Sequence, residues 1–427
     1  MEKTLLKSVR IGDSLYDITL NNQNGMIERL TSIGGTAPDP GKPIGSTQKA
    51  GASANGSISN STVQDARYDV IDAAGLLYLP SNADMHVHLD KHFLGEPWKP
   101  LQPFVTLPVQ LAFEKQMLGA LPTSIAERAR RLIDLLLSHG TTKIRTHVDV
   151  DPEIGISHLE QVLQVREEYR GVMDIEIVAF PQQGLLRADS IGVMKEAMRA
   201  GAEFVGGVDP AGLDRQVDRS LETMFELSAE FDAGVDLHLH DPGHLGLYTI
   251  SRFADLTSVA GKGGRTAVSH AYCLGQVSEP ESRELAQQLK AAEVAIITSV
   301  PLDRPMPRVD QLIAEGVHVH VGSDNILDSW SPFGNGDLLA RGSKLAEKFG
   351  WIVDEALLQS YPLISAAALA PKEGDRASFM LVNAQNAQHA IASAPPREAV
   401  FSGSRLVGGN WYTTAESSVY TKLHSSV

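Results

Sequence analysis

Histidines and acids recur in this chain in pairs that suit a divalent metal ion. The first pair lies in Ala83-Asp84-Met85-His86-Val87-His88-Leu89-Asp90-Lys91, behind the apolar run 76–80. In an extended strand, alternation sends Asp84, His86 and His88 to one face and Met85, Val87 and Leu89 to the other. Two imidazoles side by side are half of a transition-metal site, because neutral imidazole suits Zn, Fe or Cu. His238-Leu239-His240-Asp241 repeats the pattern, and His270, Asp324 and Arg145-Thr146-His147-Val148-Asp149 set further polar groups on apolar segments. Brought together, His86, His88, His238 and Asp324 would form a shell of three imidazoles and one carboxylate, with His270 beside it. Such a shell leaves room for one water. A divalent ion lowers the pKa of that water to near neutrality and Asp324 can take its proton, which is hydrolytic chemistry.

The elements that must position these groups follow a repeated pattern. Residues 80–366 read as apolar strand, short loop and amphipathic helix in succession, as parallel β/α units do. Strands are expected to end at His88 and to span 142–150, 174–180, 204–208, 234–240, 265–270, 295–300 and 317–322. The class is α/β, and eight units predict a (β/α)8 TIM barrel, in which chemistry gathers at the C-terminal strand ends. An isolated barrel histidine is an ordinary interior hydrogen-bond partner, but that explanation gives no reason for histidines at several strand ends together. Residues 1–79 and 367–427 carry short alternating strands and are expected to form one accessory domain of β-sandwich type from both chain ends. Within it, 34–62 is rich in Gly, Ser, Ala, Pro and Asn and reads as a flexible surface insertion. A last helical stretch, 354–366, is expected to break at Pro362.

Composition narrows the partners. The chain has 427 residues, 43% of them hydrophobic, enough for a substantial core. Lys+Arg 37 against Asp+Glu 52 gives a formal charge of -15, which argues against nucleic acid or an anionic membrane as partner. The single cysteine, Cys273, excludes an internal disulfide and a cysteine-rich zinc site. With no long apolar segment near Met1, the expected location is the cytoplasm.

The order His-x-His, strand-five His, strand-six His and strand-eight Asp resembles the amidohydrolase superfamily, and the resemblance covers nearly the whole chain. His86-Val87-His88-Leu89-Asp90-Lys91, Phe180-Pro181-Gln182, Ser269-His270, and Ser323-Asp324-Asn325 followed by Asp328-Ser329-Trp330 are similar to its cytosine deaminase branch. Thr146-His147-Val148-Asp149-Val150-Asp151, Gly206-Gly207-Val208-Asp209-Pro210-Ala211, His238-Leu239-His240-Asp241 and Pro332-Phe333-Gly334-Asn335-Gly336-Asp337 are closer to triazine-pathway aminohydrolases of the isopropylammelide type.

The resemblance implies a metal on His86, His88, His238 and Asp324. It also implies that His270 holds the bound water or tetrahedral intermediate and that Gln182 bonds a ring carbonyl or amide. Two-metal members need a lysine on the fourth strand, and 204–209 has none. One ion, Zn or Fe(II), is therefore expected. Asp241 stands where cytosine deaminases carry a proton-shuttling Glu, with His240 just before it, and either is a candidate to protonate the leaving nitrogen. Asn325 replaces a second acid beside the metal aspartate, which changes what the pocket accepts from a ring N–H. Lys91 and Asp209 are expected as polar pocket groups, Trp330 as an apolar wall for a flat ring, and His147 and Asp149 as residues just behind the ligands or interior hydrogen-bond partners rather than catalysts. The implied activity is hydrolysis of an exocyclic C–N bond on a pyrimidine-like or triazine-like ring, in a homo-oligomer. The alternatives are hydrolysis of cyclic or linear amides and, from another class, a non-catalytic relative.

Overall fold

Two hydrogen-bonded sheets organise the chain, whose computed structural model describes residues 2–36, 59–63, 66–365 and 367–415. The first sheet takes strands from both chain ends: β1 (Lys3–Ile11), β2 (Ser14–Asn21), β3 (Met26–Thr36), β4 (Ser59–Val63), β5 (Ala66–Asp72) and β6 (Leu77–Pro80) from one end. The other end supplies strands Phe379–Val382, Arg397–Ser402 and Arg405–Gly408. Phe379–Val382 pairs antiparallel with β6, so the C-terminal strands continue the N-terminal sheet. The sheet branches at β1, whose first residues pair with β5 while Arg10 pairs with Leu77 of β6. Leu6, Val9, Ile18, Leu20, Phe379 and Phe401 fill its own core, with Tyr78 stacked on Phe379 at 5.0 Å between ring centroids. Strand pairing reaches into both edges of the Gly- and Ser-rich stretch, to Thr36 and from Ser59; residues 37–58, its middle, lie outside the described residues.

The second sheet is eight parallel strands in sequential order: β7 (Asn82–Val87), β8 (Thr141–Asp149), β9 (Asp174–Phe180), β10 (Phe204–Val208), β11 (Gly234–Leu239), β12 (Thr266–His270), β13 (Val294–Thr298) and β14 (Val319–Val321). The three C-terminal strands of the first sheet then follow as β15, β16 and β17. Helices alternate with the barrel strands, and a single parallel bridge, Val87 to Asp324, joins β14 back to β7. The fold is a nearly closed (β/α)8 barrel with a separate sheet from the chain ends. β13 and β14 are shorter than their apolar runs suggest. Past β13 the chain turns left-handed at Val300 (φ 54°), and past β14 only the Gly322 N–H to the Thr298 carbonyl and the bridge at Asp324 continue the pairing.

Simple alternation fails on β7. Asp84 pairs with Ile144 and Val87 with Thr146, so three steps on β7 face two on β8. A bulge of this kind re-aims side chains. Met85 therefore joins Ala83, Ala267 and Ile297 in a small cluster apart from the large core that holds Val87 and Leu89. Asp84 is separated from the histidines it was expected to accompany, and its Oδ1 accepts from the backbone N–H groups of His86 (3.2 Å) and Ser323 (2.9 Å).

Two helices follow β7 and differ in kind. α1 (Leu107–Gly119) has no side-chain N-cap and buries only Gln110, Leu111 and Glu114. Its apolar residues follow no helical stripe, and periodicity gives no reason to expect it. α2 (Ile125–Ser138) begins with a reciprocal capping box between Ser124 and Glu127 and buries Ala129, Leu132, Ile133 and Leu136. The break near Pro362 separates helices Asp354–Leu358 and Tyr361–Ile364, with the proline in the first turn of the second. Among the described residues no helix is long and apolar enough to cross a membrane.

Candidate active site

The C-terminal ends of β7, β11, β12 and β14 meet around a buried cluster of imidazoles. His86 and His88 each place Nε2 3.5 Å from Asp324 Oδ1, and His270 Nδ1 lies 3.9 Å from Asp324 Oδ2. The His238 ring is 4.5 Å from that of His86 between centroids. Potential ligand atoms of His86, His88 and Asp324 fall within 4.8 Å of one another, and so do those of His86, His147 and His238. Backbone geometry sets this up. His270 (φ 70°) and Asp324 (φ 56°) are left-handed, a conformation that costs a residue with a Cβ about 1–3 kcal/mol. The Asp324 N–H donates to the His86 carbonyl at 2.7 Å. A Cβ on Gly322 would stand 2.4 Å from the His86 Cβ, so only glycine lets the last strand approach the first this closely.

The donor set fits a metal. Among the described residues, His86 Nε2, His270 Nδ1 and both ring nitrogens of His238 and of His147 are buried without a hydrogen-bond partner. Each such orphan costs about 1–3 kcal/mol, and a cation that takes the one lone pair of a neutral imidazole removes that cost at the ligating nitrogen. The opposite nitrogens are already held. Ser269 Oγ donates to Asp236 at 2.8 Å, so at 2.9 Å from His86 Nδ1 its oxygen accepts the imidazole N–H. Asp236 in turn receives the Arg145 guanidinium at 3.0 Å. His88 Nδ1 lies 3.1 Å from the His147 carbonyl. Both histidines of the first motif thus carry the proton on Nδ1 and turn the Nε2 lone pair inward, the tautomer a metal needs. Burial holds His238, His270 and His147 well below the usual imidazole range, so they are neutral. Burial acts to raise Asp324, and the charge that His270, His86 and His88 carry when protonated pulls it well below the usual carboxylate range, a pull that a bound cation would supply where these imidazoles are neutral.

His147 stands beside the expected ligands His86 and His238. It adds a fourth imidazole to the floor, 4.1 Å from His86 and 4.4 Å from His238 between ring centroids. Alternation on β8 already turned it inward. Its height relative to His86 depends on the bulge in β7, which alternation does not register.

Above the floor opens a cavity of about 790 Å³, lined by His240, Asp209, Lys91, Gln182, Asn325 and Trp330 among others. His240 and Asp241 part company here. The His240 side chain is 38% exposed into the cavity, stacked on His270 at 4.5 Å. Its Nδ1 donates to Asp209 Oδ2 at 3.0 Å, which leaves Nε2 free. Burial lowers its pKa, and the Asp209 carboxylate more than offsets this, so the net direction is up. Asp241 instead accepts from the backbone N–H groups of Ala211 (3.0 Å) and Gly212 (2.8 Å) and is absent from the cavity lining. Burial, with the charge of Asp209 nearby, raises its carboxyl to about 6.

The wall draws on three loops and one helix. Lys91 is buried, with Nζ 2.8 Å from Asp149 and 3.5 Å from Glu114. Gln182 Nε2 donates to Glu114 Oε2 at 3.1 Å, and Trp330 Nε1 donates to the same oxygen. Asn325 Nδ2 donates to Asp328 at 2.8 Å. Glu114 was not among the expected site residues. It belongs to α1, which no periodic signal announces, and a lone acid on an unrecognised helix carries no motif. Asp236 was missed as well, although it lies two residues before His238 on the same strand face.

Comparison with known proteins agrees with this geometry. N-isopropylammelide isopropyl amidohydrolase of Pseudomonas sp. (strain ADP) is 31% identical over 354 residues, 79% of this chain and 88% of that protein. The crystal structure of N-isopropylammelide isopropylaminohydrolase from Burkholderia multivorans ATCC 17616 superposes with a TM-score of 0.83 at 30% identity, covering 96% of this chain and 99% of that one. The 5-methylcytosine deaminase of Klebsiella pneumoniae, solved with 5-fluorocytosine, shares the fold with a TM-score of 0.75 at 23% identity, covering 95% of this chain and 96% of that one. The pattern of the amidohydrolase family matches residues 69–361, most of the chain and nearly all of the barrel, and the protein belongs to that family.

Proposed function

We propose that this chain is a hydrolase that removes an exocyclic amino or alkylamino group from a pyrimidine-like or triazine-like ring, with one divalent ion, Zn or Fe(II), held by His86, His88, His238 and Asp324. The observation that carries this reading is the His240–Asp209 pair. It presents a free imidazole nitrogen to the cavity, directly above the floor of histidines. A ring carbon over that floor would have its amino nitrogen within reach of His240. Similarity over 79% and 96% of this chain to two isopropylammelide aminohydrolases supports the same chemistry.

A bound divalent ion would supply Lewis-acid activation of the attacking water. Asp324, a carboxylate held ionised by its neighbours, accepts a proton from that water. Neutral His270 offers an N–H to the oxygen that adds to the ring. His240 delivers a proton to the departing nitrogen, and Asp209 holds its ring in place through Nδ1. Gln182 meets the ring edge, Lys91 stands behind it, and Trp330 covers one face. Asp241, committed to the loop at Ala211 and Gly212, shapes the turn that carries Asp209 rather than moving a proton.

The test is release of ammonia or amine, read by mass, from metal-reconstituted protein offered cytosine, isocytosine, creatinine, ammelide and N-alkyl ammelides, with dihydropyrimidine and hydantoin amides alongside. Amine release from an aminated ring, with one metal equivalent per chain by elemental analysis, is the expected result. Ring opening without amine release would reassign the chain to cyclic amide hydrolysis, and two tightly bound equivalents would overturn the single-ion site.

A further inference from the structure

Glu114 has no counterpart in the chemistry described so far, and it is 2% exposed. A buried carboxylate needs partners, because its desolvation costs several kcal/mol unless donors replace water. Its partners are residues of the cavity wall. Oε2 accepts from Gln182 Nε2 and Trp330 Nε1, and Oε1 lies 3.5 Å from Lys91 Nζ. The helix that carries it is anchored at the same face. Gln110 Nε2 donates to the Ser329 carbonyl at 2.7 Å, and Leu111 packs with Phe180, Val208 and Leu213. The loops after β7, β9 and β14 are therefore tied to one another through a single carboxylate on α1.

This arrangement also fixes a polarity. A carboxylate only accepts, so Gln182 must turn its NH2 toward Glu114. Its carbonyl Oε1 then faces away from Glu114 and, buried, has no hydrogen-bond partner among the described residues. An unpartnered buried acceptor at the cavity wall calls for an N–H donor from the ligand.

We propose that Glu114 is a positioning residue that sets the hydrogen-bond polarity of the cavity wall, so that the site selects rings presenting an N–H, a lactam edge, to Gln182. The inference rests on the ring-hydrolase reading for its ligand class. Its geometry is independent of which group leaves the ring. Replacing Glu114 with Gln supplies an amide that can donate to Gln182 Oε1. Gln182 is then free to turn its NH2 to the ligand, and the preference should shift away from N–H donors.

The experiment compares binding of uracil and 1,3-dimethyluracil by calorimetry to zinc-loaded full-length protein, native and Glu114→Gln. The native protein is expected to favour uracil by about ten-fold or more, the range of one hydrogen bond to a buried group. E114Q is expected to lose most of that ratio while keeping its metal content. Methyl bulk is the same for both proteins, so the change in ratio isolates polarity. Tryptophan emission gives a second readout without turnover. E114Q should shift it, and the shift should vanish when Trp330→Phe is added. Equal binding of the two rings by native protein would overturn the proposal, even if E114Q failed to fold. So would an E114Q protein with native discrimination and native emission. If the amine-release panel is silent but the E114Q ratio changes, the hydrolase reading falls and this one stands. If the panel releases amine and E114Q is unaltered, only this one falls.

Discussion

On the floor of the cavity, His86, His88, His238 and Asp324 stand on or just past paired strands, and among the described residues Nε2 of His86 and both ring nitrogens of His238 have no hydrogen-bond partner. On the wall, Lys91, Gln182 and Trp330 stand on loops, and each is tied to a carboxylate on a helix that buries one narrow face. The floor offers a donor set that a cation would complete; the wall is tied together by its own hydrogen bonds and, on the proposed reading, would turn its remaining polar atoms to a ring. The difference separates two duties. On the proposed function, reactivity would be set where the backbone is most constrained, and ligand choice by an excursion between β7 and α2 that the barrel does not require. If this division is right, floor substitutions should abolish turnover or metal binding with little effect on ring preference. Wall substitutions should alter preference and KM before kcat.

The largest effect belongs to Asp324. Asp324→Asn keeps the volume but removes both a ligand charge and the proton acceptor, so kcat should fall by about 10²–10⁴-fold or more, with reduced metal content by elemental analysis. Retained turnover in the metal-loaded variant would take Asp324 out of the proton path. His240→Ala comes next, with a loss of about 10²–10⁴-fold in kcat and full metal content. Asp209→Asn, which leaves His240 in place without its charged partner, should cost less than His240→Ala in the same assay. If Asp241→Ala proved as damaging as His240→Ala with the turn at Ala211 and Gly212 intact, the assignment between the two would reverse.

A smaller effect should arise beneath the floor. Asp236 holds Ser269, and Ser269 holds His86 Nδ1–H, so Asp236→Ala frees the His86 tautomer and leaves Arg145 with Glu176 as its acidic partner. Metal affinity should fall by about 10–100-fold, and excess zinc should restore much of the turnover. No recovery at saturating zinc would mean that Asp236 acts through barrel stability instead.

The same two regions divide what could be read from the chain. The barrel and the cluster of histidines with Asp324 were legible because each strand couples an apolar run to a polar end, and strand order then places those ends on one rim. His86, His88, His238 and Asp324 needed no more than that. The bulge in β7 was not legible, since it depends on how β7 packs beside β8, and with it went the roles of Asp84, Met85 and His147. The wall was legible only in part. Gln182, Asp209, Trp330 and Asn325 lie just after strand ends, where position predicts function. Glu114 lies mid-helix with no periodic stripe to reveal the helix, and only the folded chain brings it to Gln182. His240 and Asp241 looked interchangeable because neighbouring residues at a strand end differ in direction, and that is decided by the loop at Asp209, left-handed at φ 38°.

The smallest expected effect concerns the stability of the wall. Asp328 is 2% exposed, and burial, with the charges of Glu114 and Asp324, raises its carboxyl to about 7. In the unfolded chain the same group titrates near 3.8. Between these values the folded protein holds a proton that the unfolded chain releases, so this group's contribution to stability is full below the unfolded value and is lost as pH rises toward 7. Asp328 also accepts from the Trp330 and Ser331 N–H groups (2.8 and 2.9 Å) and from Asn325. Asn at this position keeps an acceptor for the two backbone donors, and Asn325 can rotate to suit it. Asp328→Asn should therefore melt about 2–4 °C above the native protein at pH 8 and match it at pH 4. A native melting temperature that rises between pH 5 and 7 by the same amount in both proteins would show that Asp328 is ionised in the fold. The loop carrying Trp330 would then be held by a charge, as Gln182 is, rather than by a neutral acid.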